Sequence, residues 1–164
     1  MSDNVYLGNP NLKKANTAIE FSQEQILEYV KCKNDPVYFS QNYVKIVSLD
    51  EGLVPFKPYD FQEKLINNFH ENRFNICKMP RQTGKSTTVV SYLLHYAVFN
   101  DSVNIGILAN KAATARELLG RLQTAYENLP KWMQQGIISW NKGSLELENG
   151  SKILAASTSA SAVR

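Results

Sequence analysis

The chain has 164 residues, of which 43% are hydrophobic and 20% charged, which excludes an intrinsically disordered chain and favours one folded globular unit. Its 18 basic and 15 acidic residues are dispersed and give a formal charge of +3, so charge alone does not identify a nucleic-acid partner. The two cysteines form no CxxC pair and no apolar run is long enough to span a bilayer. We therefore expect no zinc site, no disulfide framework, no signal peptide and no membrane association, and a cytoplasmic location.

The N-terminal third predicts two short helices. Ser22 and Gln25 form a capping-box pattern, which predicts a helix over Gln23 to Cys32. Asp35 and Pro36 suit the N-cap and the first position of a second helix.

A third helix is predicted to begin at Pro58 and to end near Asn72, because its apolar residues recur at helical spacing. We place the domain boundary at its start. Residues 1–57 are then a helical lead-in segment, and residues 58–164 are the main domain.

The middle of the chain alternates strands and helices. The run Phe74 to Met79 predicts a short buried strand, and the mostly apolar segment that follows predicts a helix from about Lys85 to Phe99. A second strand is predicted over Val103 to Ala109 and an amphipathic helix over Ala112 to Glu127. This order indicates an α/β fold with a parallel sheet and flanking helices.

The last third predicts three short strands, Ile137 to Trp140, Ser144 to Glu148 and Lys152 to Leu154. Lys142-Gly143 and Asn149-Gly150 separate them. Asn-Gly is a strong hairpin signal because both turn residues must tolerate positive φ. We therefore predict an antiparallel meander appended to the parallel sheet.

The segment Met79 to Ser86 matches the phosphate-loop (Walker A) pattern G-x-x-x-x-G-K-[ST], except that Met79 replaces the first glycine. A predicted strand before it and a predicted helix after it would place a helix N-terminus beside an anion. Gly84 would let the backbone approach ATP, Lys85 would reach the β- and γ-phosphates, and Ser86 would offer its hydroxyl to Mg²⁺. The remaining candidate nucleotide-binding residues of the loop are Gln82, Thr83 and Thr87.

Two further residues extend this candidate site. The guanidinium of Arg81 could pair with a γ-phosphate or form a structural salt bridge, and the residues alone leave both open. Gln62 lies about 20 residues before the loop, and its amide could bond both edges of adenine, with Phe61 as a packing or stacking neighbour.

Several motifs together resemble the large terminase subunits of tailed bacteriophages. They are Asn9 to Asn16, Asp60-Phe61-Gln62, the loop Pro80 to Thr87, Gly106 to Lys111, and the Trp-Asn-Lys-Gly-Ser hairpin within Ile138 to Ser151. An Arg-Gln-x-Gly-Lys-[Ser/Thr] loop combined with this hairpin is far more specific than a phosphate loop alone.

The resemblance implies a P-loop NTPase of the additional-strand (ASCE) type, the ATPase that translocates double-stranded DNA into the prohead. It implies a portal protein and a small terminase subunit as partners, and a homo-oligomer on the portal. By the same resemblance, Arg81 is the γ-phosphate sensor, Lys85 acts with it in catalysis, and Gln62 contacts adenine.

The resemblance also implies that residues 58–164 form an incomplete ATPase domain, without the family's Mg²⁺-binding carboxylate, catalytic glutamate and nuclease domain. We therefore expect this chain alone to be inactive as an ATPase and as a nuclease. Glu146 and Glu148 alternate with leucines on a predicted strand, so we interpret them as solvent-facing rather than catalytic.

Two other functions fit the pattern. A superfamily 2 helicase-like translocase shares a glutamine before a Gly-Lys-Ser/Thr loop, and a non-catalytic fragment of an interrupted gene could bind nucleotide without turnover. Lys111, Arg116 and Arg121 either face DNA or lie on a solvated helix face. His95 is predicted to be a core residue.

Overall fold

A computed structural model of the protein describes residues 4–48 and 50–158. The chain begins with the two-stranded hairpin β1 (Val5–Tyr6) and β2 (Asn9–Lys13), followed by α1 (Gln23–Asn34) and α2 (Pro36–Tyr43). The predicted capping box is present, since Ser22 Oγ accepts from the Gln25 N–H at 3.2 Å and Gln25 Oε1 accepts from the Ser22 N–H at 3.1 Å. These side chains bond N–H groups that α1 cannot pair internally, which confirms the start of the helix.

A second hairpin, β3 (Lys45–Ser48) and β4 (Gly52–Pro55), precedes α3 (Asp60–Glu71) and was not predicted. Gly52 lies at φ 73°, a conformation that glycine adopts without a Cβ penalty. α3 begins two residues after the predicted start at Pro58 and ends at the predicted position, with Asn72 as its C-cap.

The predicted strand Phe74 to Met79 is not formed, so this prediction was wrong. The segment has no strand partner among the described residues, and Phe74 and Ile76 are 82% and 101% exposed. A cleft of about 610 Å³, lined in part by Asn75 and Asn104, separates it from the sheet. A strand requires backbone partners, and hydrophobicity alone does not supply them.

The rest of the described chain contains helices α4 and α5 and one four-stranded sheet. Its elements are α4 (Lys85–Phe99), β5 (Asn104–Ala109), α5 (Ala112–Glu127), β6 (Ile137–Trp140), β7 (Ser144–Leu147) and β8 (Lys152–Ser157). The strand order is β5-β8-β7-β6. β5 and β8 are parallel, whereas β8, β7 and β6 form the predicted antiparallel meander. The fold is therefore mixed α/β with a mixed sheet.

The core lies where α4 and α5 pack on one another and α5 packs on the sheet. It includes Phe39 of α2, Leu94 of α4, Leu119 of α5 and Ile153 of β8, all nearly or fully inaccessible to solvent. Residues from both sides of the predicted boundary at 57/58 thus contribute to one core. No helix within residues 4–48 and 50–158 is long and apolar enough to span a membrane.

His95 confirms its predicted place in this core. It is 1% exposed and its Nε2 lies 2.9 Å from the Cys32 carbonyl oxygen. Burial disfavours the charged imidazolium and lowers the pKa of His95 to about 4. His95 is therefore neutral near pH 7 and acts as a packing residue of α4.

The N-terminal strand β2 is held against the C-terminal sheet region by polar contacts. The buried Gln134 accepts from the Lys13 N–H at 3.0 Å and donates to the Asn11 carbonyl at 2.9 Å. Glu148 forms an ion pair with Lys13 at 3.2 Å and accepts from the Asn16 N–H at 2.8 Å. The prediction that Glu148 faces solvent was therefore wrong.

Burial tends to raise the pKa of Glu148, but the backbone N–H donors and Lys13 outweigh it, so the net pKa is lowered. Glu148 is thus a charged structural residue. Glu146 differs from it, since it lies on β7 and forms a partly exposed ion pair with Lys152 at 2.9 Å.

Candidate functional site

The loop before α4 is a compact turn closed by its own hydroxyl groups. Thr83 Oγ1 donates to the Pro80 carbonyl at 3.1 Å, and the buried Thr88 Oγ1 donates to the Gly84 carbonyl at 3.0 Å. Residues 81–84 form turns and bends, and α4 begins at Lys85 as predicted. The loop is thereby tied to the first turn of α4.

Two observations favour glycine at position 84 of this loop. Its φ is 71°, in the left-handed region that other residues adopt at a cost. A Cβ at this position would also collide with Gln62 Nε2. Gln82 has a φ of 61° as well, so two left-handed residues lie within three positions of the loop. Such alternation can turn successive backbone N–H groups toward one side, an arrangement that binds anions.

The N-terminus of α4 lacks the groups that usually neutralise a helix start. No side chain caps it and its first turn contains no acidic residue. The first N–H groups of a helix have no internal partners and carry partial positive charge, so they attract anions. Lys85 occupies the first helical position, next to the exposed Ser86 and the half-buried Thr87.

The cationic side chains of this segment are unengaged in the described part of the chain, where neither Arg81 nor Lys85 forms an ion pair. Arg81 and Gln82 are exposed, whereas Lys85 is half-buried. The structural salt bridge considered for Arg81 is therefore absent from the described residues. Both cations remain available to an anionic ligand.

Gln62 is the predicted site residue with the closest contact to this loop. It is 3% exposed, and its Nε2 donates to the Thr83 carbonyl at 3.3 Å. Its Oε1 accepts from the Tyr59 N–H at 2.9 Å at the start of α3. The structure thus joins two segments that are 21 residues apart, through a contact between Gln62 and the loop backbone that was not predicted.

Phe61 lies beside Gln62 at the surface. Its ring stacks on that of Tyr59, with centroids 5.8 Å apart and an interplanar angle of 10°. Both rings are substantially exposed. Two exposed parallel rings next to this loop offer a flat apolar surface of the kind that can stack on a planar base.

Sequence reasoning missed two residues at this site. Thr88 lies two residues beyond the end of the loop pattern at Ser86, so the pattern gives no reason to select it. Its role is visible only in the structure, where its hydroxyl donates to the Gly84 carbonyl. Tyr59 was not singled out, and its ring contact with Phe61 is visible only in the structure. Three basic residues were considered for DNA contact, and one of them, Arg121, pairs with Glu117 on the exposed face of α5 at 2.6 Å.

A divalent metal has few candidate protein ligands here. No group of three or more His, Cys, Asp or Glu residues in the described ranges could hold a metal ion. The exposed hydroxyl of Ser86 at the start of α4 fits a metal that arrives with a phosphate ligand, as Mg²⁺ commonly does.

Comparison with protein families gives a match over the second half of the chain. Residues 76–164 match the family described as terminase large subunit, T4likevirus-type, N-terminal. The matched segment begins just before the loop and continues through α4, α5 and the mixed sheet. It covers more than half of the chain and confirms the family that the loop and hairpin motifs indicated. The chain therefore belongs to the T4likevirus-type terminase large-subunit family, in the N-terminal part of such a subunit.

Proposed function

We propose that this chain binds ATP with Mg²⁺ through the loop before α4, as the ATP-binding portion of a DNA-packaging motor. The observation that carries the proposal is the uncapped, acid-free start of α4, with Gly84 in a left-handed conformation and Lys85 unpaired in the described structure. These features leave backbone donors, a cation and a hydroxyl together for a triphosphate.

Each candidate residue has a proposed role. Lys85 binds the β- and γ-phosphates, Ser86 binds Mg²⁺ that is held by the nucleotide, and Arg81 pairs with the γ-phosphate. The base lies at the corner formed by Tyr59, Phe61 and Gln62. The backbone of the loop and its polar side chains complete the site through Gln82, Thr83, Gly84 and Thr87.

The proposed architecture is a P-loop NTPase of the additional-strand type. Its support is the β5–α5 unit followed by β8 parallel to β5, together with the loop-to-α4 connection. In the large subunit, ATP hydrolysis would drive double-stranded DNA into a prohead, with a portal protein, a small subunit and further copies of the motor as partners, in the host cytoplasm.

Turnover is proposed for the large subunit rather than for the described residues by themselves. Hydrolysis requires a carboxylate that holds Mg²⁺ and a group that orients the attacking water. The described residues contain no metal-holding acidic cluster. Binding is therefore the activity to test on this chain.

The test is MgATP binding to the 164-residue chain, measured by isothermal titration calorimetry. Lys85→Ala should weaken binding on the order of 100-fold, because a charge-assisted contact to phosphate is lost. Lys33→Ala is the matched control, because it also removes a lysine charge. Lys33 is exposed in the last turn of α1, and its backbone contacts His95 in the half of α4 that is distant from Lys85. Equal affinities of wild type and Lys85→Ala would overturn the proposal.

A further inference from the structure

The C-terminal end of α4 is held by side chains from the turn between β7 and β8. Asn149 donates from Nδ2 to the Ala97 carbonyl at 2.9 Å and to the Asn100 carbonyl at 3.0 Å. Ser151 Oγ donates to the same Asn100 carbonyl at 2.9 Å. The last carbonyls of a helix have no internal partners, so these donors act as the C-terminal cap of α4.

The carboxamide of Asn149 has one possible orientation here, because only its nitrogen can donate to two carbonyls. Its Oδ1 accepts from the Ser151 N–H at 3.0 Å. An aspartate has the same shape but no hydrogen to donate when ionised. At position 149 it would place a carboxylate beside carbonyl oxygens at the negative end of a helix, where anions are unfavourable.

Asn149 is also the one asparagine of the sequence that is followed by glycine. An Asn-Gly pair deamidates readily, because glycine has no side chain to hinder its backbone nitrogen. The Gly150 nitrogen attacks Cγ of Asn149 and forms a C–N bond, and the side-chain nitrogen leaves as ammonia with the proton of the attacking amide. Water then opens the succinimide ring to aspartate or isoaspartate.

The fold opposes the first step of this reaction at both reacting groups. The Gly150 N–H donates to the Leu147 carbonyl at 3.0 Å, and both hydrogens of the Asn149 amide are donated to α4. Ring closure removes all three of these hydrogen bonds, since the Gly150 nitrogen loses its proton and the side-chain nitrogen departs. The turn must therefore separate from α4 before the reaction proceeds.

We propose that Asn149 is a deamidation site that the folded chain closes and the unfolded chain exposes. Conversion to aspartate removes the donors that cap α4 and adds a carboxylate that the helix end repels. A chain modified while unfolded thus returns to a less stable structure, loosened at the far end of the helix that begins at Lys85. The modification distinguishes chains that have unfolded from chains that have not.

The first experiment follows deamidation of the wild-type 164-residue chain by peptide mass spectrometry, in mildly alkaline buffer with and without denaturing guanidinium chloride. Conversion at Asn149 should be on the order of tenfold or more slower in the folded chain, because the turn must first open. Asn141 is the internal control, since it also lies between two strands but is followed by Lys142, and it should react slowly in both conditions. Equal rates at Asn149 in the folded and unfolded chain would overturn the proposal.

The second experiment measures what the modification does to the folded chain. Asn149→Asp should lower the midpoint of urea unfolding more than Asn149→Ala does, because alanine removes the donors without adding a charge. Asn141→Asp is the matched control and should leave the midpoint unchanged, since Asn141 Oδ1 accepts from the Gly143 and Ser144 N–H groups and a carboxylate can do the same. An Asn149→Asp chain as stable as wild type would overturn the inference. If Asn149→Asp does not fold, the wild-type experiment still decides whether the fold closes the site.

Discussion

The N-termini of α1 and α4 differ in how their free N–H groups are satisfied. α1 begins with a reciprocal capping box between Ser22 and Gln25, and Glu24 lies in its first turn. α4 has the glycine Gly84 as its N-cap, no capping side chain and no acidic residue in its first turn. The first start is satisfied by side chains of the chain itself, whereas the second has no side-chain partner for its N–H groups in the described structure.

The same contrast holds for α2, whose N-cap Asp35 accepts from the Tyr38 N–H at 2.8 Å. A glycine N-cap such as Gly84 gives up about a few tenths of a kcal/mol of stability relative to a capping side chain. A bound phosphate would restore the missing partners. α5 also lacks a side-chain cap and an acidic residue in its first turn, so α4 is distinguished by the left-handed Gly84 at its N-cap together with Lys85 at its first position.

The largest expected effect comes from making α4 resemble α1. Thr87→Glu places a carboxylate at the third helical position, where it should stabilise the free chain by about 0.3–1 kcal/mol. It should weaken tripolyphosphate binding on the order of 100-fold, because like charges then share one helix start. Calorimetry and urea unfolding measure the two quantities.

Thr87→Gln is the matched control for this change, since it has the same shape without the charge. The difference between the two variants isolates electrostatic repulsion from loss of the Thr87 hydroxyl. If both variants bind tripolyphosphate equally at low ionic strength, the anion does not lie at the start of α4.

A smaller effect is expected at Arg81, which is exposed and makes no ion pair with the described residues. Arg81→Ala should reduce the ratio of ATP to ADP affinity about tenfold, because only ATP carries the γ-phosphate. The free energy of unfolding should change by less than about 0.5 kcal/mol, as for other surface substitutions.

Arg116→Ala, an exposed change on α5, should alter neither quantity. An unfolding free energy that drops clearly while the ATP to ADP ratio stays constant would assign Arg81 a structural role. The contrast between the starts of α1 and α4 would then be weaker. Arg81 would stabilise the loop before α4 from within the chain, as the capping box stabilises the start of α1.

Local signals explain which parts of this fold were predictable. Capping depends on neighbours in sequence, so Ser22 with Gln25 and Asp35 with Pro36 predicted the starts of α1 and α2. The bounds of α5 were also predicted, and Asn149-Gly150 predicted the hairpin between β7 and β8, where Gly150 has a φ of 82°. These features require no knowledge of the tertiary structure.

Features that depend on distant partners were not predictable. The run Phe74 to Met79 has strand composition, but a strand also needs a paired edge that composition cannot reveal. The contact of Gln134 with β2 spans more than 120 residues, and nothing in either segment identifies the other. Gln62 was found from its motif, but its orientation toward Thr83 became visible only in three dimensions.

The smallest expected effect is the loss of a cap that the chain already supplies. Asp35→Ala removes the acceptor of the Tyr38 N–H and should lower the free energy of unfolding by about 1 kcal/mol, measured by urea titration at pH 7. Asp35→Asn keeps an acceptor oxygen and should retain most of the stability. Neither variant should change tripolyphosphate affinity, because Asp35 serves a helix whose N-terminus is already satisfied. A tenfold loss of tripolyphosphate affinity in Asp35→Ala, but not in Asp35→Asn, would mean that the capped start of α2 and the uncapped start of α4 are coupled. The cap of α2 would then affect binding as well as stability.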